Sequence, residues 1–134
     1  GGQEQIGADP VTPDIGLGDG GTVNADASDD GSTFDAGSDD IVFDFADGGY
    51  GVQVSGFESG DVLDFADVGG STEATLNVLA DSDQEDGQQV LAAANTDTGQ
   101  TVEVTLVGLS NTQDNAIFSQ VSFESEFGSG SIVV

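Results

Sequence analysis

The chain has 134 residues, a length that suits one domain. It carries 26 Asp plus Glu and no Lys, Arg or His, a formal charge of −26, so no side-chain ion pair can form at neutral pH. Such a polyanion repels nucleic acid and anionic lipid, the missing His removes the usual base of a nucleophilic triad, and no apolar run is long enough to span a bilayer.

Cysteine is absent, which excludes disulfides, and methionine is absent even at the first position, which reads as a processed chain or a fragment. High net charge with few aromatics is a signature of disorder. Against it stand 36% apolar residues and eight Phe, gathered in short Val-, Ile- and Phe-rich runs. The expectation is a folded chain that borrows positive charge from bound cation. Its only good ligands are oxygens, which are hard donors, and Ca²⁺ tolerates many irregular oxygen ligands. Extracellular calcium is the abundant pool, so the expected location is outside the cell. Acidic adaptation to high salt is a separate explanation of the charge.

Residues 1–30 read as an extended N-terminal arm, rich in Gly, Asp, Thr and Pro, with Pro10 and Pro13 around Val11. The arm is either flexible or a strand that docks, for instance on a neighbouring molecule. Residues 31–134 read as an acidic β domain. Its expected strands are Ser32–Phe34, Asp40–Phe45, Tyr50–Ser55, Asp61–Phe65, Ala74–Leu79, Gln88–Ala94, Thr101–Val107, Ala116–Phe123 and Ser131–Val134. Tyr50–Ser55 and Thr101–Leu106 alternate apolar and polar residues, as half-buried strands of an antiparallel sheet do. Asp47-Gly48-Gly49, Glu58-Ser59-Gly60 and Thr98-Gly99-Gln100 read as turns. The fold class implied is all-β, an antiparallel β-sandwich or a β-roll-like domain.

One motif occurs twice. Val42-Phe43-Asp44-Phe45-Ala46-Asp47-Gly48-Gly49 is followed by Val62-Leu63-Asp64-Phe65-Ala66-Asp67-Val68-Gly69-Gly70, and the shared Asp-Phe-Ala-Asp recurs at a spacing of 20 residues. In a strand, Phe43 and Phe45 face one side and Asp44 the other. A buried aromatic face rimmed by carboxylates suits cation binding. The candidate ligands are Asp39, Asp40, Asp44, Asp47, Asp61, Asp64 and Asp67, with Asp81, Asp83, Glu85 and Asp86 as a second group. For any one of these aspartates, ordinary hydration is the competing reading.

Other motifs carry less. Gly37-Ser38-Asp39-Asp40-Ile41 fits the second half of the calcium nonapeptide of parallel β-rolls, but Phe34 and Asp35 occupy its first two glycine positions. Asp81–Gly87 opens like an EF-hand loop, yet its Gly falls one position late and Ala92 stands where the bidentate Glu belongs. Asp97-Thr98-Gly99 matches the aspartic-protease tripeptide but lacks its apolar preceding strand and reads as a turn. With no Trp and one Tyr, a sugar platform for a carboxylate glycosidase is missing. The chain is not expected to be an enzyme.

Asp40-Ile41-Val42-Phe43-Asp44-Phe45 and Val54-Ser55-Gly56-Phe57-Glu58-Ser59-Gly60-Asp61-Val62-Leu63-Asp64-Phe65 resemble the C-terminal region of RTX-related adhesins and surface-layer proteins exported by type I secretion. Gln100–Leu106 looks like a later strand of that family, and Ser131-Ile132-Val133-Val134 is similar to its short apolar export tails. The resemblance implies a bacterial secreted or surface protein that folds outside the cell on binding calcium. The expected function is a calcium-dependent structural subunit of an extracellular fibre, surface layer or biofilm matrix, self-associating through strand exchange. The alternative is the calcium-binding C-terminal module of a larger adhesin that binds glycan or a host surface. No nucleic-acid partner and no membrane insertion are expected.

Overall fold

The computed structural model describes residues 21–37, 40–79 and 87–134. Among the described residues nine strands run in chain order: β1 Gly21–Ala25, β2 Thr33–Asp35, β3 Ile41–Phe45, β4 Tyr50–Ser55, β5 Val62–Asp64, β6 Thr75–Val78, β7 Gln89–Ala94, β8 Thr101–Val107 and β9 Ile132–Val133. Two α-helices, α1 Asn111–Ala116 and α2 Gln120–Phe127, lie between β8 and β9. Short 3-10 turns occupy Ala27–Asp29 and Ala66–Val68.

The strands form two sheets. Sheet one has the order β9-β5-β3-β1 and sheet two the order β2-β4-β8-β7-β6. From β1 to β5, successive strands alternate between the sheets, so the chain winds as a flattened coil. One circuit takes 20 residues: Ile41 lies beside Gly21, Gln53 beside Thr33 and Val62 beside Val42. Crossing to the opposite sheet each time returns the chain in the same direction, so these neighbours are parallel. The winding then stops. β6, β7 and β8 form an antiparallel meander, and β8 closes parallel onto β4.

This corrects the expected fold class. The chain is α/β, not an all-β antiparallel domain: sheet one is wholly parallel, sheet two is mixed, and two helices are present. Alternation of apolar and polar residues reports one buried and one open face, and it does so for either strand direction. The stretch Ala116–Phe123, expected as a strand, spans the end of α1 and the start of α2. Each helix begins with a capping box: the Ser110 side chain accepts from Gln113 N and the Ser119 side chain from Ser122 N. Phe123 and Phe127 of α2 then share one face and are buried. Gly21–Ala25, assigned to the arm by composition, is the outermost described strand of sheet one. Residues 26–30 of the same stretch hold the 3-10 turn Ala27–Asp29, and residues 1–20 lie outside the described residues.

The core fills the space between the sheets. Phe45 stacks on Phe65 with ring centroids 4.9 Å apart, one coil on the next. A second aromatic row runs Phe34, Phe43, Phe57, and then Phe123 and Phe127 of α2. Helix α2 touches β9 and β6, the edge strands of both sheets at one end of the stack. At the other end the outermost strands among the described residues are β1 and β2.

Tight corners join the strands. Gly37, Gly56 and Gly108 follow the three parallel strands of sheet two, all with positive φ (61°, 72° and 76°). Gly60, at φ 103°, sits under Asp40, and a Cβ there would collide with the Asp40 carboxylate. We expect Gly60→Ala to destabilise the chain by about 1–3 kcal/mol, from backbone strain and displacement of Asp40. Urea unfolding followed by circular dichroism checks this.

Candidate cation-binding surface

The repeated motif places its two halves side by side. Phe43 and Phe45 on β3, and Leu63 on β5, point into the core and are fully buried. Asp44 and Asp64 point outward and lie in register on adjacent strands, with Asn24 of β1 next in the same row. Asp67, in the 3-10 turn after β5, lies close enough for its charge to act on Asp44. Partial burial pushes the Asp44 carboxyl above its ordinary value, and the charges of Asp64 and Asp67 push it further. Asp64 also accepts from Ala66 N at 2.9 Å.

The remaining candidate ligands are dispersed. Asp61 is 1% exposed and does backbone work, accepting from Ile41 N at 2.8 Å and Glu58 N at 2.9 Å. Burial raises its pKa, the two backbone donors lower it, and Glu58 and Asp40 add smaller upward contributions. Asp40 is exposed above Gly60. Asp47 accepts from Asn95 Nδ2 at 3.1 Å, which ties the β3–β4 corner to the end of β7. Asp39, Asp81, Asp83, Glu85 and Asp86 lie outside the described residues.

Calcium takes six to eight oxygen ligands. Among the described residues, no group of three or more carboxylates is arranged to hold a metal ion. Asp44, Asp64 and Asp67 therefore match the metal in donor chemistry and concentrated charge, without forming a closed shell.

Sequence reasoning missed the carboxylates that hold corners. Asp26 Oδ1 accepts from Ser28 N at 2.9 Å, Asp30 Oδ1 from Gly51 N at 2.8 Å and Asp35 Oδ1 from Gly37 N at 2.9 Å. Asp29 accepts from Asp26 N, completing a capping box, and burial raises its pKa against that hydrogen bond. Asp97, of the protease-like tripeptide, accepts from Ser71 N at 2.7 Å and Ser71 Oγ at 2.8 Å, and these bonds hold its carboxyl below the ordinary value. Asp97-Thr98-Gly99 sits at the β7–β8 turn, closed by Gly99 N donating to the Asn95 carbonyl at 2.8 Å. The signal for this use was available: Asp followed two residues on by a free N–H is the Asx-turn pattern.

No protein-family model, curated protein or solved structure matches this chain. Among the described residues, no helix is long and apolar enough to cross a membrane.

Two predictions follow from these carboxyls. Asp61→Ala strands the buried Ile41 N–H and should cost about 1–3 kcal/mol, whereas Asp61→Asn keeps an acceptor and should cost less. Chemical denaturation of both variants checks the difference. The second concerns pH. Asp29, Asp44 and Asp61 have folded-state values above the ordinary 3.8, so the folded chain binds these protons more tightly than the unfolded chain. Ionising them at neutral pH costs stability, and that cost is relieved as pH falls toward the raised values. Asp97 acts oppositely, but its contribution is lost only below 3.8, outside this window. The thermal midpoint should therefore rise as the pH falls from neutral toward 3.8 in metal-free buffer; a fall would contradict the assignment.

Proposed function

We propose that this chain is a secreted, calcium-dependent structural protein, a subunit of an extracellular fibre, surface layer or biofilm matrix. The observation that carries this reading is the outward row of Asp44 and Asp64, in register across β3 and β5 and joined by Asp67. In a chain with no cationic side chain, nothing internal can neutralise that row. Calcium supplies the missing charge, and an incomplete ligand set leaves room for oxygens from water or from another molecule. Assembly by strand addition has a starting point at β1 and β2, the outermost described strands at the end of the coil away from α2. The resemblance of residues 54–65 to type I-secreted proteins supports the extracellular location.

The same pair of outermost described strands favours a second reading. A coil closed by a helix at one end and edged by strands at the other also suits the calcium-binding C-terminal module of a larger adhesin, stacked on further coils.

The test is circular dichroism and light scattering with millimolar calcium, with magnesium, and with chelator. Calcium should raise the thermal midpoint and the scattering, and chelator should reverse both. Asp44→Asn combined with Asp64→Asn should weaken the calcium response by about tenfold, or about 1.4 kcal/mol. A wild-type chain with the same midpoint and the same monomer mass in all three conditions would overturn the proposal. A calcium-stabilised monomer would select the adhesin module.

A further inference from the structure

One place in sheet one is filled from far along the chain. β5 ends at Asp64, and the strand beside it opposite β3 is β9, Ile132–Val133. β9 runs parallel to β5, with Ile132 beside Leu63 and Val133 beside Asp64. Leu63 N donates to the Ser131 carbonyl oxygen at 2.8 Å, and Phe65 N to that of Val133 at 2.7 Å. Ile132 is buried in the core, while Val133 is exposed. Three observations make this a strand that lifts easily from its seat. It pairs over two residues, whereas β1 pairs with β3 over five and β4 with β8 over six. Ser131 Oγ is buried with no hydrogen-bond partner among the described residues, so opening returns a stranded hydroxyl to water. The link from α2 is Gly128-Ser129-Gly130, with φ of 111° and 85° at the two glycines, and a Cβ at either would meet nothing within 4 Å. Such a link extends into other conformations without losing contacts.

The seat is specific in what it takes: an Ile side chain beside Leu63 on a strand parallel to β5. The segment from Gly128 to Val134 carries no charged side chain. In a chain with 26 acids and no base, that segment can enter a second copy without adding to the repulsion between them. The second copy has the same seat, so β9 finds there the contacts it leaves in its own chain. We propose that copies of the chain join by exchanging β9, residues 131–134 of one copy pairing with β5 of another. The inference rests on the reading of the chain as a self-associating subunit, and it names the segment exchanged and the seat that receives it. Reciprocal exchange closes a pair, and passing β9 onward builds a fibre. Either way the received strand lies beside Asp64, at the edge of the Asp44–Asp64 row, so calcium on that row lowers repulsion where two copies must meet.

Cysteine is absent from the chain, so cross-links can be placed without interference. Val62 and Ser131 stand one step before the Leu63–Ile132 pair in the register. Val62→Cys with Ser131→Cys, oxidised within one chain, ties β9 to its own β5. Sedimentation equilibrium in calcium should then show the dissociation constant raised about tenfold or more, and reductant should restore it. A mixture of Val62→Cys chains and Ser131→Cys chains, oxidised in calcium, should give dimers joined between positions 62 and 131, read by mass spectrometry of the linked peptides. Gly130→Val disfavours the closed turn and should strengthen association while lowering the thermal midpoint, with circular dichroism confirming that every variant is folded. Calcium-dependent association that persists in the oxidised double variant, with no cross-link between chains at these positions, would overturn the exchange and leave the calcium reading intact. Exchange cross-links that form equally in chelator would uphold the exchange and overturn the calcium reading. A monomer under every condition would overturn both.

Discussion

The structure depends on one interaction, the hydrogen bond from a backbone N–H to an aspartate. A chain with no Lys, Arg or His cannot pair its carboxylates with side chains of opposite charge. The backbone supplies the donors instead. Asp61 and Asp30 take N–H groups from other coils, at Ile41 and Gly51, and so pin one turn of the coil to another. Asp26, Asp35 and Asp64 take N–H groups two residues on and set the local corners. Hydrogen bonds to a charged acceptor are stronger than neutral ones, and the acceptor keeps part of its solvation at an exposed corner. Corners also lack ladder partners for their N–H groups, so the polymer's excess of acceptors meets its excess of donors there.

This division leaves the interior apolar. Phe45 on Phe65, and the row from Phe34 to Phe127, fill the space between sheets that carry their charge on the outside and at the rim. Tyr50 shows how the two regions meet. Its ring is buried, and its hydroxyl lies 2.7 Å from the Ala46 carbonyl oxygen and 3.1 Å from that of Ala25, binding the ends of β3 and β1. Burial and the four surrounding aspartates hold that hydroxyl protonated, so it stays a donor.

The inside–outside pattern was legible in the sequence. Alternation placed Phe43 and Phe45 inward and Asp44 outward, and placed Val52, Val54, Val102 and Val104 in the core. Strand direction was not, because a sheet with one wet face alternates whether its neighbours run parallel or antiparallel. The information lay in the repeat: Asp-Phe-Ala-Asp at a spacing of 20 is one circuit, and a repeat of one circuit stacks like on like, as Asp44 stacks on Asp64. The helices hid because Val121 and Phe118, which gave Ala116–Phe123 its strand-like look, are exposed. Ser110-Asn111-Thr112-Gln113 and the four-residue step from Phe123 to Phe127 were the better signs. The candidate ligands separated for a related reason. Composition marks an aspartate as acidic, but only topology decides whether it meets an N–H or another carboxylate.

Asp44, Asp64 and Asp67 are set apart by that distinction. Asp61 is more deeply buried, yet two N–H donors satisfy it, whereas Asp44 faces the charges of Asp64 and Asp67. Stacking like on like is what gives the coil its aromatic ladder inside, and the same register brings two carboxylates together outside. The repulsion on sheet one is thus a by-product of the repeat that builds the core, and it cannot be removed from within a chain that has no base. A proton relieves it at low pH, and a divalent cation can relieve it at neutral pH. Three carboxylates supply fewer than the six to eight oxygens that calcium takes when each binds through one atom. The balance must then come from solvent or from a second chain, and in the latter case neutralising the row and joining the subunits become the same event.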